Sequence, residues 1–309
     1  MDRANRIIIL GVFVADTAYR ADRAPRMGET ILGRSFALGP GGKGSNQAVA
    51  AARLGAEVGF ITRLGDDAFA EIAERTWTAA GVRPLVTRDA DSYTGAAYIF
   101  IDEGSGDNAI IICPGAAARI VPADIDARRA EIEAAAVFVT QLEQPLAAAA
   151  RGLLVARGAG VTTILNPAPG QPLADEILAL CDYVTPNETE AETLTGVPVG
   201  DIGGARAAAA ALVARGAGAA VITLGAKGAL YHGRDRTELV PAISAGPVVE
   251  TTGAGDAFNG GFATGLARGM DPVEAMRFGC AVAAISVTRP GTAPSMPDLA
   301  EVETLLARG

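Results

Sequence analysis

Near the C-terminal end of the chain, small residues and one carboxylate occur in an order that suits phosphoryl chemistry. Residues 251–260 read Thr-Thr-Gly-Ala-Gly-Asp-Ala-Phe-Asn-Gly, and the small and apolar residues after Asp256 predict a helix. Because the first amides of a helix have no intrahelical partners and carry partial positive charge, Gly253, Ala254 and Gly255 can hold an anion. Asp256 can take a proton from a hydroxyl group in the same turn. The stretch therefore predicts transfer of a phosphoryl group to an alcohol.

A second glycine-rich stretch lies far upstream. Residues 39–48 read Gly-Pro-Gly-Gly-Lys-Gly-Ser-Asn-Gln-Ala and open a predicted helix over Asn46–Leu54. Lys43 and Asn46 can hydrogen-bond several hydroxyls of a polar ligand there, since glycine lets the backbone approach closely. The stretch is not a P-loop, because Gly44 occupies the position where Mg²⁺ coordination needs serine or threonine. Taken one at a time, each stretch could also be an ordinary glycine turn beside a helix.

Together the two stretches resemble the signature motifs of the ribokinase (phosphofructokinase-B) family of sugar and nucleoside kinases. The resemblance covers nearly the whole chain, because further matching pieces follow in the family's order: Gly11–Asp16, Gly28–Thr30, Gln141–Glu143, Asn166–Pro169, Pro186–Glu190, Thr223–Gly225 and Thr288–Ser295. Each piece alone is a weak signal, whereas so many in the same order form a strong one.

The resemblance implies a mechanism. Asp256 would be the general base that deprotonates the primary hydroxyl of a sugar, and the amides of residues 253–255 would hold the transferred phosphoryl group. Catalysis of phosphoryl transfer depends mainly on positioning the reactants and stabilising the charge of the transferred group, so a few residues suffice. Besides Asp256, the resemblance assigns contacts with the sugar to Asp16, Gly42, Lys43, Asn46 and Glu143.

By the same resemblance, the phosphoryl donor is ATP bound with Mg²⁺. Its expected contacts are Asn187, Thr223, Leu224, Gly225, Ala226, Lys227, Gly228, Gly255 and Cys280. Cys280 stands where the family usually has a polar side chain beside adenine. Asn187 and Glu190, three residues apart at a predicted helix start, would organise the Mg²⁺ through water molecules. A helix cap at Asn187 would explain the same residue equally well.

The resemblance also implies a monovalent-cation site beside the anion site. Its ligands would be mainly backbone carbonyls and one hydroxyl, which suits K⁺. The residues concerned are Glu250, Thr252, Ser286, Arg289, Gly291 and Ser295. Glu250 replaces the family's more usual aspartate and is longer by one methylene group. We expect K⁺ to activate the enzyme.

Val14 is the main departure from the family pattern. Ribokinases carry asparagine there, two residues before the aspartate, so valine removes hydrogen bonds to the sugar and adds an apolar wall. The expected acceptor is a pentose, first D-ribose giving D-ribose 5-phosphate, with 2-deoxyribose or another furanose as competitor. A nucleoside kinase and a non-catalytic sugar-binding protein fit these motifs less well. An NAD-dependent dehydrogenase is disfavoured, because no Gly-x-Gly-x-x-Gly follows the first predicted strand.

Composition limits the classes of partner. The 309-residue chain is 50% apolar and 20% charged with a net charge of −9, which predicts a globular protein and argues against nucleic acid or an anionic membrane as partner. No apolar run reaches the roughly 18 residues of a membrane span. The cysteines, Cys113, Cys181 and Cys280, lack metal-like spacing and lie in apolar sequence, so we expect a reducing, cytoplasmic location. His232, the single histidine, is expected to be structural.

Apolar runs alternate with alanine-rich segments, which predicts an α/β fold with a mostly parallel central sheet and helices on both faces. The resemblance makes this fold ribokinase-like and extends it over residues 1–309. The predicted strands are Ile7–Val12, Val58–Thr62, Ala136–Thr140, Val161–Asn166, Tyr183–Thr185 and Ala220–Leu224. The predicted helices are Asn46–Leu54, Asp67–Ala80, Leu146–Arg157, Ala205–Arg215 and Ala257–Leu266.

Two segments interrupt the alternation, residues 13–38 and 94–113. The first has no convincing helix, and the second alternates and turns at residues 103–107 in the manner of a β-hairpin. Together they predict a small antiparallel sheet inserted in the main domain. The resemblance makes this sheet a lid over the sugar site, and such lids often supply a dimer contact. We therefore expect a homodimer formed through the lid sheet.

Overall fold

The computed structural model describes residues 3–308, so the first two residues and the last residue of the predicted domain lie outside the described part. Its strands are β1 (Arg6–Leu10), β2 (Val14–Ala21), β3 (Ser35–Gly41), β4 (Glu57–Leu64), β5 (Arg83–Arg88), β6 (Thr94–Asp102), β7 (Asn108–Gly115), β8 (Val137–Thr140), β9 (Thr162–Leu165), β10 (Tyr183–Val184), β11 (Ala219–Thr223), β12 (Ala229–His232) and β13 (Thr237–Val240).

Helices connect most of these strands. They are α1 (Lys43–Arg53), α2 (Ala68–Ala80), α3 (Pro122–Asp126), α4 (Arg129–Glu133), α5 (Leu146–Gly158), α6 (Asp175–Leu178), α7 (Glu188–Thr195), α8 (Ile202–Ala214), α9 (Ala254–Ala267), α10 (Pro272–Ser286) and α11 (Leu299–Leu306). Short 3₁₀ turns occupy Ala116–Arg119, Gly225–Lys227 and Ala293–Ser295.

Nine strands of the described chain form the central sheet, in the order β13-β12-β11-β10-β9-β8-β1-β4-β5. The pairings from β5 to β11 are parallel, and the hairpins β11–β12 and β12–β13 are antiparallel. The predicted α/β fold with a mostly parallel sheet is therefore confirmed. Each predicted strand is present, with ends displaced by at most two residues.

β1 shows why both faces of the sheet carry helices. Ile7 and Ile9 enter one apolar core with α1, α2, α9 and α10, whereas Ile8 and Leu10 enter a second core with α5 and α8. All four side chains are fully buried. Because successive strand residues point to opposite faces, a strand buried on both sides is a continuous apolar run in the sequence.

The remaining four strands form the lid sheet, in the order β3-β2-β6-β7. The outer pairings, β2–β3 and β6–β7, are antiparallel as predicted, whereas the central β2–β6 pairing is parallel. β2 continues from β1 and β6 continues from β5, which run in the same direction in the central sheet, so the two strands leave it side by side. β3 extends beyond the predicted segment to Gly41, and it tolerates Pro40 because it is an edge strand.

Both glycine-rich stretches become the first turns of helices. α1 begins at Lys43 and α9 at Ala254, each three residues earlier than predicted. The residues that cap them, Gly42 (φ 88°) and Gly253 (φ 82°), have positive φ, which glycine adopts readily. The sequence placed these starts too late because glycines inside the first turns are poor helix formers, a preference that tertiary packing overrides here.

Candidate active site

The first turns of α1 and α9 face each other. The two helices approach so closely that a methyl group on Gly260 would lie 2.5 Å from the Cβ of Ala50. This approach brings Asn46 within hydrogen-bond distance of Asp256, 210 residues away in the sequence. The predicted base and the predicted sugar contacts of α1 are therefore parts of one site.

Asp256 is buried, and each of its carboxylate oxygens accepts a hydrogen bond from a side-chain amide. Oδ2 accepts from Nδ2 of Asn46 at 2.9 Å, and Oδ1 accepts from Nε2 of Gln47 at 3.1 Å. Burial raises the pKa of Asp256, while Lys43 and the two amides oppose that shift. A raised pKa suits a carboxylate that takes a proton from a hydroxyl.

Lys43, the first residue of α1, supplies the positive charge of the site. Burial lowers the pKa of Lys43, but the carboxylates of Asp256, Glu143 and Glu190 outweigh burial and raise it. The ammonium group therefore remains charged at neutral pH. It can bind a hydroxyl or an anion among these acids.

Two more predicted sugar contacts belong to the same cluster of charged groups. Oε2 of Glu143 accepts a hydrogen bond from the backbone N–H of Lys43 at 2.8 Å. Burial raises the pKa of Glu143 to about 7, although Lys43 opposes the shift. Burial and the nearby Asp256 raise the pKa of Asp16 to about 6. Gly42, the remaining predicted contact, forms the turn that places Lys43. The cluster thus contains several carboxyl groups, which can accept hydrogen bonds from hydroxyls when ionised.

The start of α9 leaves backbone amides without acceptors. The N–H groups of Gly253, Gly255 and Asp256 have no hydrogen-bond acceptor within residues 3–308. The predicted donor Ala254 differs, because its N–H donates to the carbonyl of Thr251 at 3.1 Å. A methyl group on Gly255 would meet no atom within 4 Å, so open space lies in front of this turn. The unpaired amides and the open space suit an anion.

Asn187 and Glu190 form a capping box at the start of α7. Oδ1 of Asn187 accepts from the backbone N–H of Glu190 at 2.8 Å, and Oε2 of Glu190 accepts from that of Asn187 at 2.9 Å. The box leaves Oε1 of Glu190 and Nδ2 of Asn187 without partners in the described chain. Asn187 also pairs with Thr223 in an isolated parallel bridge, so both halves of the predicted nucleotide site adjoin.

These residues fit Mg²⁺ held through water. Burial raises the pKa of Glu190, Lys43 opposes that shift and Asp256 adds to it, so the carboxyl group lies within electrostatic range of both. Mg²⁺ keeps several water ligands and needs only one or two carboxylates from a protein. One free carboxylate oxygen is consistent with that requirement.

The predicted nucleotide loop is the 3₁₀ turn after β11. The side chain of Leu224 is buried, and Nζ of Lys227 donates to the carbonyl of Gly200 at 3.2 Å. These two side chains are therefore engaged within the protein. The turn can offer a ligand its backbone groups, including those of Gly225, Ala226 and Gly228.

The three cysteines have different surroundings. Cys280, on α10, is buried, and burial raises the pKa of its thiol to about 12, so the thiol is neutral and weakly polar. Cys181 is also buried. Cys113 differs, because it lies exposed on β7 at the edge of the lid sheet, although its sequence neighbours are apolar. His232 is in β12, and its Nδ1 lies 2.6 Å from Oγ1 of Thr237, in keeping with a structural role.

Two segments of the predicted cation site come together beside α9. Oε2 of Glu250 accepts from the backbone N–H of Gly291 at 2.8 Å. Oγ of Ser295 donates to the carbonyl of Thr292 at 2.7 Å, which leaves its lone pairs available. Thr292 in turn lies 3.3 Å from the position of a methyl group on Gly253. The segments thus adjoin the unpaired amides.

The other three predicted cation ligands can contribute only in part. The hydroxyl of Ser286 donates to the carbonyl of Ala283 within its own helix, and the guanidinium of Arg289 pairs with Glu301. Oγ of Ser286 keeps its lone pairs because it donates this bond, whereas Arg289 could offer a cation only its backbone carbonyl. Thr252 is exposed beside them. Oxygen donors of this kind fit K⁺.

Sequence reasoning assigned no role to several buried polar residues beneath Asp256. They are Gln47, Gln141, Asn166, Thr185 and Asn259. Three of them directly follow neighbouring strands β8, β9 and β10. Polar residues at the carboxyl ends of apolar strands mark the ligand edge of a parallel sheet, so a signal was present in the sequence.

Other classes of site find little support in the described chain. Residues 3–308 contain no group of three or more histidine, cysteine, aspartate or glutamate side chains placed to hold a metal ion directly. No helix in this part combines the length and apolar character that crossing a bilayer requires.

Comparison with known proteins matches this geometry to one family. Residues 5–299 match the model of the pfkB family carbohydrate kinases. The chain is 38% identical over 292 residues to the ribokinase of Haemophilus influenzae, covering 94% of this chain and 95% of the relative. It is 37% identical over 303 residues to the deoxyribokinase of Salmonella typhi, covering 97% and 98%.

Solved structures give the same result. The ribokinase of Arabidopsis thaliana, determined in complex with ribose and ATP, superimposes with a TM-score of 0.90 at 31% sequence identity. The match covers 98% of this chain and 99% of the plant enzyme.

Proposed function

We propose that this chain, which belongs to the pfkB family of carbohydrate kinases and is an ATP-dependent sugar phosphotransferase, phosphorylates the 5-hydroxyl of a pentose. The first candidate is D-ribose, giving D-ribose 5-phosphate and ADP. The observation that carries the proposal is the buried Asp256 carboxylate beside the unpaired amides of α9 and the charged Lys43. Relatives named ribokinase support the choice of sugar.

Asp256 acts as the general base. It takes the proton of the 5-hydroxyl, whose oxygen then bonds to the γ-phosphorus of ATP. The bond from that phosphorus to the β–γ bridging oxygen breaks, and ADP leaves. The unpaired amides of Gly253, Gly255 and Asp256 hold the charge on the transferred group, and such pre-oriented donors are a large contribution to catalysis.

The sugar lies between α1 and the lid sheet. Asp16 and Glu143 accept hydrogen bonds from its hydroxyls when ionised, and Lys43 and Asn46 complete the set of polar contacts. Oδ1 of Asn46 is buried without a hydrogen-bond partner, which is what a group awaiting a ligand hydroxyl requires. The turn at Gly42 brings the backbone close to the sugar.

Two ions would assist. Asn187 and Glu190 would hold Mg²⁺ through water, and the bound ion would neutralise charge on the β- and γ-phosphates. The segments around Glu250 and Ser295 would hold K⁺ next to the amides of α9. The backbone of residues 223–228 and the thiol of Cys280 would contact the nucleotide.

2-Deoxyribose is the second candidate acceptor, and Val14 is the observation that favours it. Val14 is buried in β2 opposite Gly41, two residues before Asp16. A valine there can pack against a sugar carbon that carries no hydroxyl group, but it cannot form a hydrogen bond with a hydroxyl group. A deoxyribokinase among the relatives supports this second candidate.

A panel of sugars distinguishes the candidates. ADP release is measured with Mg-ATP and K⁺ for D-ribose, 2-deoxy-D-ribose, D-fructose, other pentoses and adenosine. The highest kcat/KM for ribose supports the first candidate, and Val14→Asn should then change ribose kinetics little. Preference for 2-deoxyribose, shifted towards ribose by Val14→Asn, supports the second. Absence of ADP release with all of these acceptors contradicts the proposal and favours a non-catalytic sugar-binding protein.

A homodimer through the lid is proposed as the assembly. One face of the lid sheet presents the exposed side chains of Tyr19, Phe36, Leu38, Tyr98 and Ile111. Exposed apolar patches of this kind are typical of protein interfaces. Light scattering of the wild-type protein should give twice the 31.3 kDa chain mass. The variant Phe36→Asp should give the mass of a single chain. A wild-type protein with the mass of a monomer contradicts the proposal.

A further inference from the structure

Five buried side chains beneath Asp256 form one hydrogen-bonded series, here called the polar row: Gln47, Gln141, Asn166, Thr185 and Asn259. Three members come from the carboxyl edge of the central sheet, directly after β8, β9 and β10. The other two come from α1 and α9. The polar row therefore connects the sheet with both helices that form the site.

Gln47 is the centre of the polar row. Its Oε1 accepts from Nε2 of Gln141 at 2.6 Å, and its Nε2 donates to Oδ1 of Asn166 and to Oδ1 of Asp256, each at 3.1 Å. These three bonds use both amide hydrogens and the carbonyl oxygen of Gln47. Its side chain cannot rotate without leaving a buried polar group unpaired, which is costly.

The direction of the Gln47 amide follows from its neighbours. Nδ2 of Asn166 donates to the carbonyl of Thr185 at 2.9 Å, so Oδ1 of Asn166 must face Gln47. The atom of Gln47 that meets this oxygen and the Asp256 carboxylate must then be a donor. The row thus requires Gln47 to present its NH₂ group to Asp256.

The far end of the polar row reaches the backbone of α9. Oγ1 of Thr185 donates to Oδ1 of Asn259 at 2.6 Å, and Nδ2 of Asn259 donates to the carbonyl of Gly255 at 2.8 Å. The row therefore contacts the first turn of α9 twice, once at its carboxylate and once at its backbone.

We propose that Gln47 is a positioning residue for phosphoryl transfer, which holds Oδ1 of Asp256 so that the carboxylate faces the acceptor hydroxyl in its ionised form. The other members of the polar row fix Gln47 in turn. The inference rests on the proposed role of Asp256 as the base and deepens it, because it assigns the reason why that carboxylate keeps one orientation.

The electrostatics of the site give Gln47 a measurable effect. A hydrogen bond donated to a carboxylate stabilises its charged form, so loss of Gln47 should raise the pKa of Asp256 beyond the effect of burial. The charged and titratable groups that act on Asp256 or are acted on by it are Lys43 from α1, Asp16 from β2, Glu143 after β8 and Glu190 from α7. Of these, only Lys43 is positive, and Nδ2 of Asn46 remains as the side-chain donor to the other carboxylate oxygen.

The variant Gln47→Met removes the donor and keeps the length of the side chain. The pKa of Asp256 is read from ¹³C resonances of aspartate-labelled protein, with its signal assigned by its loss in Asp256→Asn. We expect an increase of about 1–2 pH units, the effect of one hydrogen bond to a charged group. The acid limb of the pH profile of kcat should move by the same amount towards alkaline pH. At pH values below that limb kcat should fall about tenfold or more, and it should recover at alkaline pH while the KM for sugar changes little.

Ser45→Ala is the matched control. Ser45 lies in the same helix and accepts a buried hydrogen bond from Nε1 of Trp77 at 2.9 Å, away from Asp256. This variant should leave both the carboxyl resonance and the pH profile unchanged. If Gln47→Met does not fold, Gln141→Met removes only the donor to Oε1 of Gln47 and should give a smaller shift in the same direction.

An unshifted Asp256 resonance in a folded variant overturns the inference, even if the rate falls. Failure of the proposed function is distinguishable: the wild-type protein would then phosphorylate no sugar, whereas the carboxyl resonance would still report whether Gln47 holds Asp256.

Discussion

The carboxylate of Asp16 lies directly against the backbone of Gly41, so that a Cβ on Gly41 would come within 2.4 Å of all three carboxylate atoms. Glycine at this position in β3 is therefore what gives the Asp16 carboxylate room to lie where it does. Gly41→Ala should displace Asp16 and raise the KM for the sugar about 10–100-fold, the loss of a hydrogen bond to a charged group. Steady-state kinetics with varied sugar and saturating ATP measure this effect.

Gly39→Ala provides the control for that variant. Gly39 is two residues earlier in the same strand, and a methyl group there would meet no atom within 4 Å. Its kinetics should match those of the wild type. An unchanged KM in Gly41→Ala would show that Asp16 does not bind the sugar.

Gly255→Ala tests the open space before α9. The added methyl group meets no protein atom, so the variant should fold with unchanged thermal stability. It would occupy space proposed for the transferred phosphoryl group, and kcat should fall about a hundredfold or more. Gly158→Ala, at the end of α5, adds a methyl group in equally open space far from this turn and should be fully active. Normal turnover in Gly255→Ala would place the phosphoryl group elsewhere.

Asp256→Asn should abolish most turnover without leaving a cavity in the site. Asparagine keeps the shape of the side chain but cannot take the proton, so kcat should fall by about 10²–10⁴-fold. ATP affinity, measured by calorimetry, should be nearly unchanged. Turnover close to that of the wild type would remove Asp256 from the role of base.

Glu143→Gln should stabilise the free protein at alkaline pH. The pKa of Glu143 is about 7 in the folded protein against an ordinary value of 4.5, so between these values the folded state binds more protons than the unfolded state. Stability contributed by this group therefore falls as pH rises through that range. Glutamine does not ionise, so the variant does not lose stability in this way. Its free energy of unfolding should exceed that of the wild type by about 1–3 kcal/mol at pH 8, and the difference should shrink towards pH 5.

Chemical denaturation at pH 5, 7 and 8 measures the difference. Glu303→Gln, which alters an exposed carboxylate of α11, should show no comparable dependence on pH. A gain in Glu143→Gln that is the same at every pH would exclude titration of Glu143 as its cause. The expected gain would come with weaker sugar binding, since Glu143 is a proposed contact.

K⁺ should activate the enzyme through the site beside α9. Rates in K⁺ should exceed those in Na⁺ or in tetramethylammonium at equal ionic strength, because the proposed carbonyl and hydroxyl ligands suit a large cation. Glu250→Gln should weaken the activation, since it removes the charge of the carboxylate that accepts from the backbone N–H of Gly291. Equal rates in all three salts would remove the cation site from the proposal.

Much of the site could be inferred from local sequence. The glycines at 42 and 253, the charged residues next to them and the pattern of alternating strands and helices depend on short-range backbone preferences, so the sequence indicated the two helix starts and the α/β fold. The hairpin of β6 and β7 was indicated in the same way. Capping at Asn187 followed from its position before a helix.

The tertiary structure decided which side chains come into contact and which hydrogen-bond donors and acceptors are already paired within the protein. It joined Asn46 and Gln47 to Asp256, engaged the amide of Ala254 with Thr251, and paired β2 with β6 in parallel rather than antiparallel orientation. Such contacts join residues far apart in the chain and depend on which donors and acceptors packing leaves unpaired. No local preference encodes them, because the free energy of a buried hydrogen bond is set by the neighbours that the fold supplies.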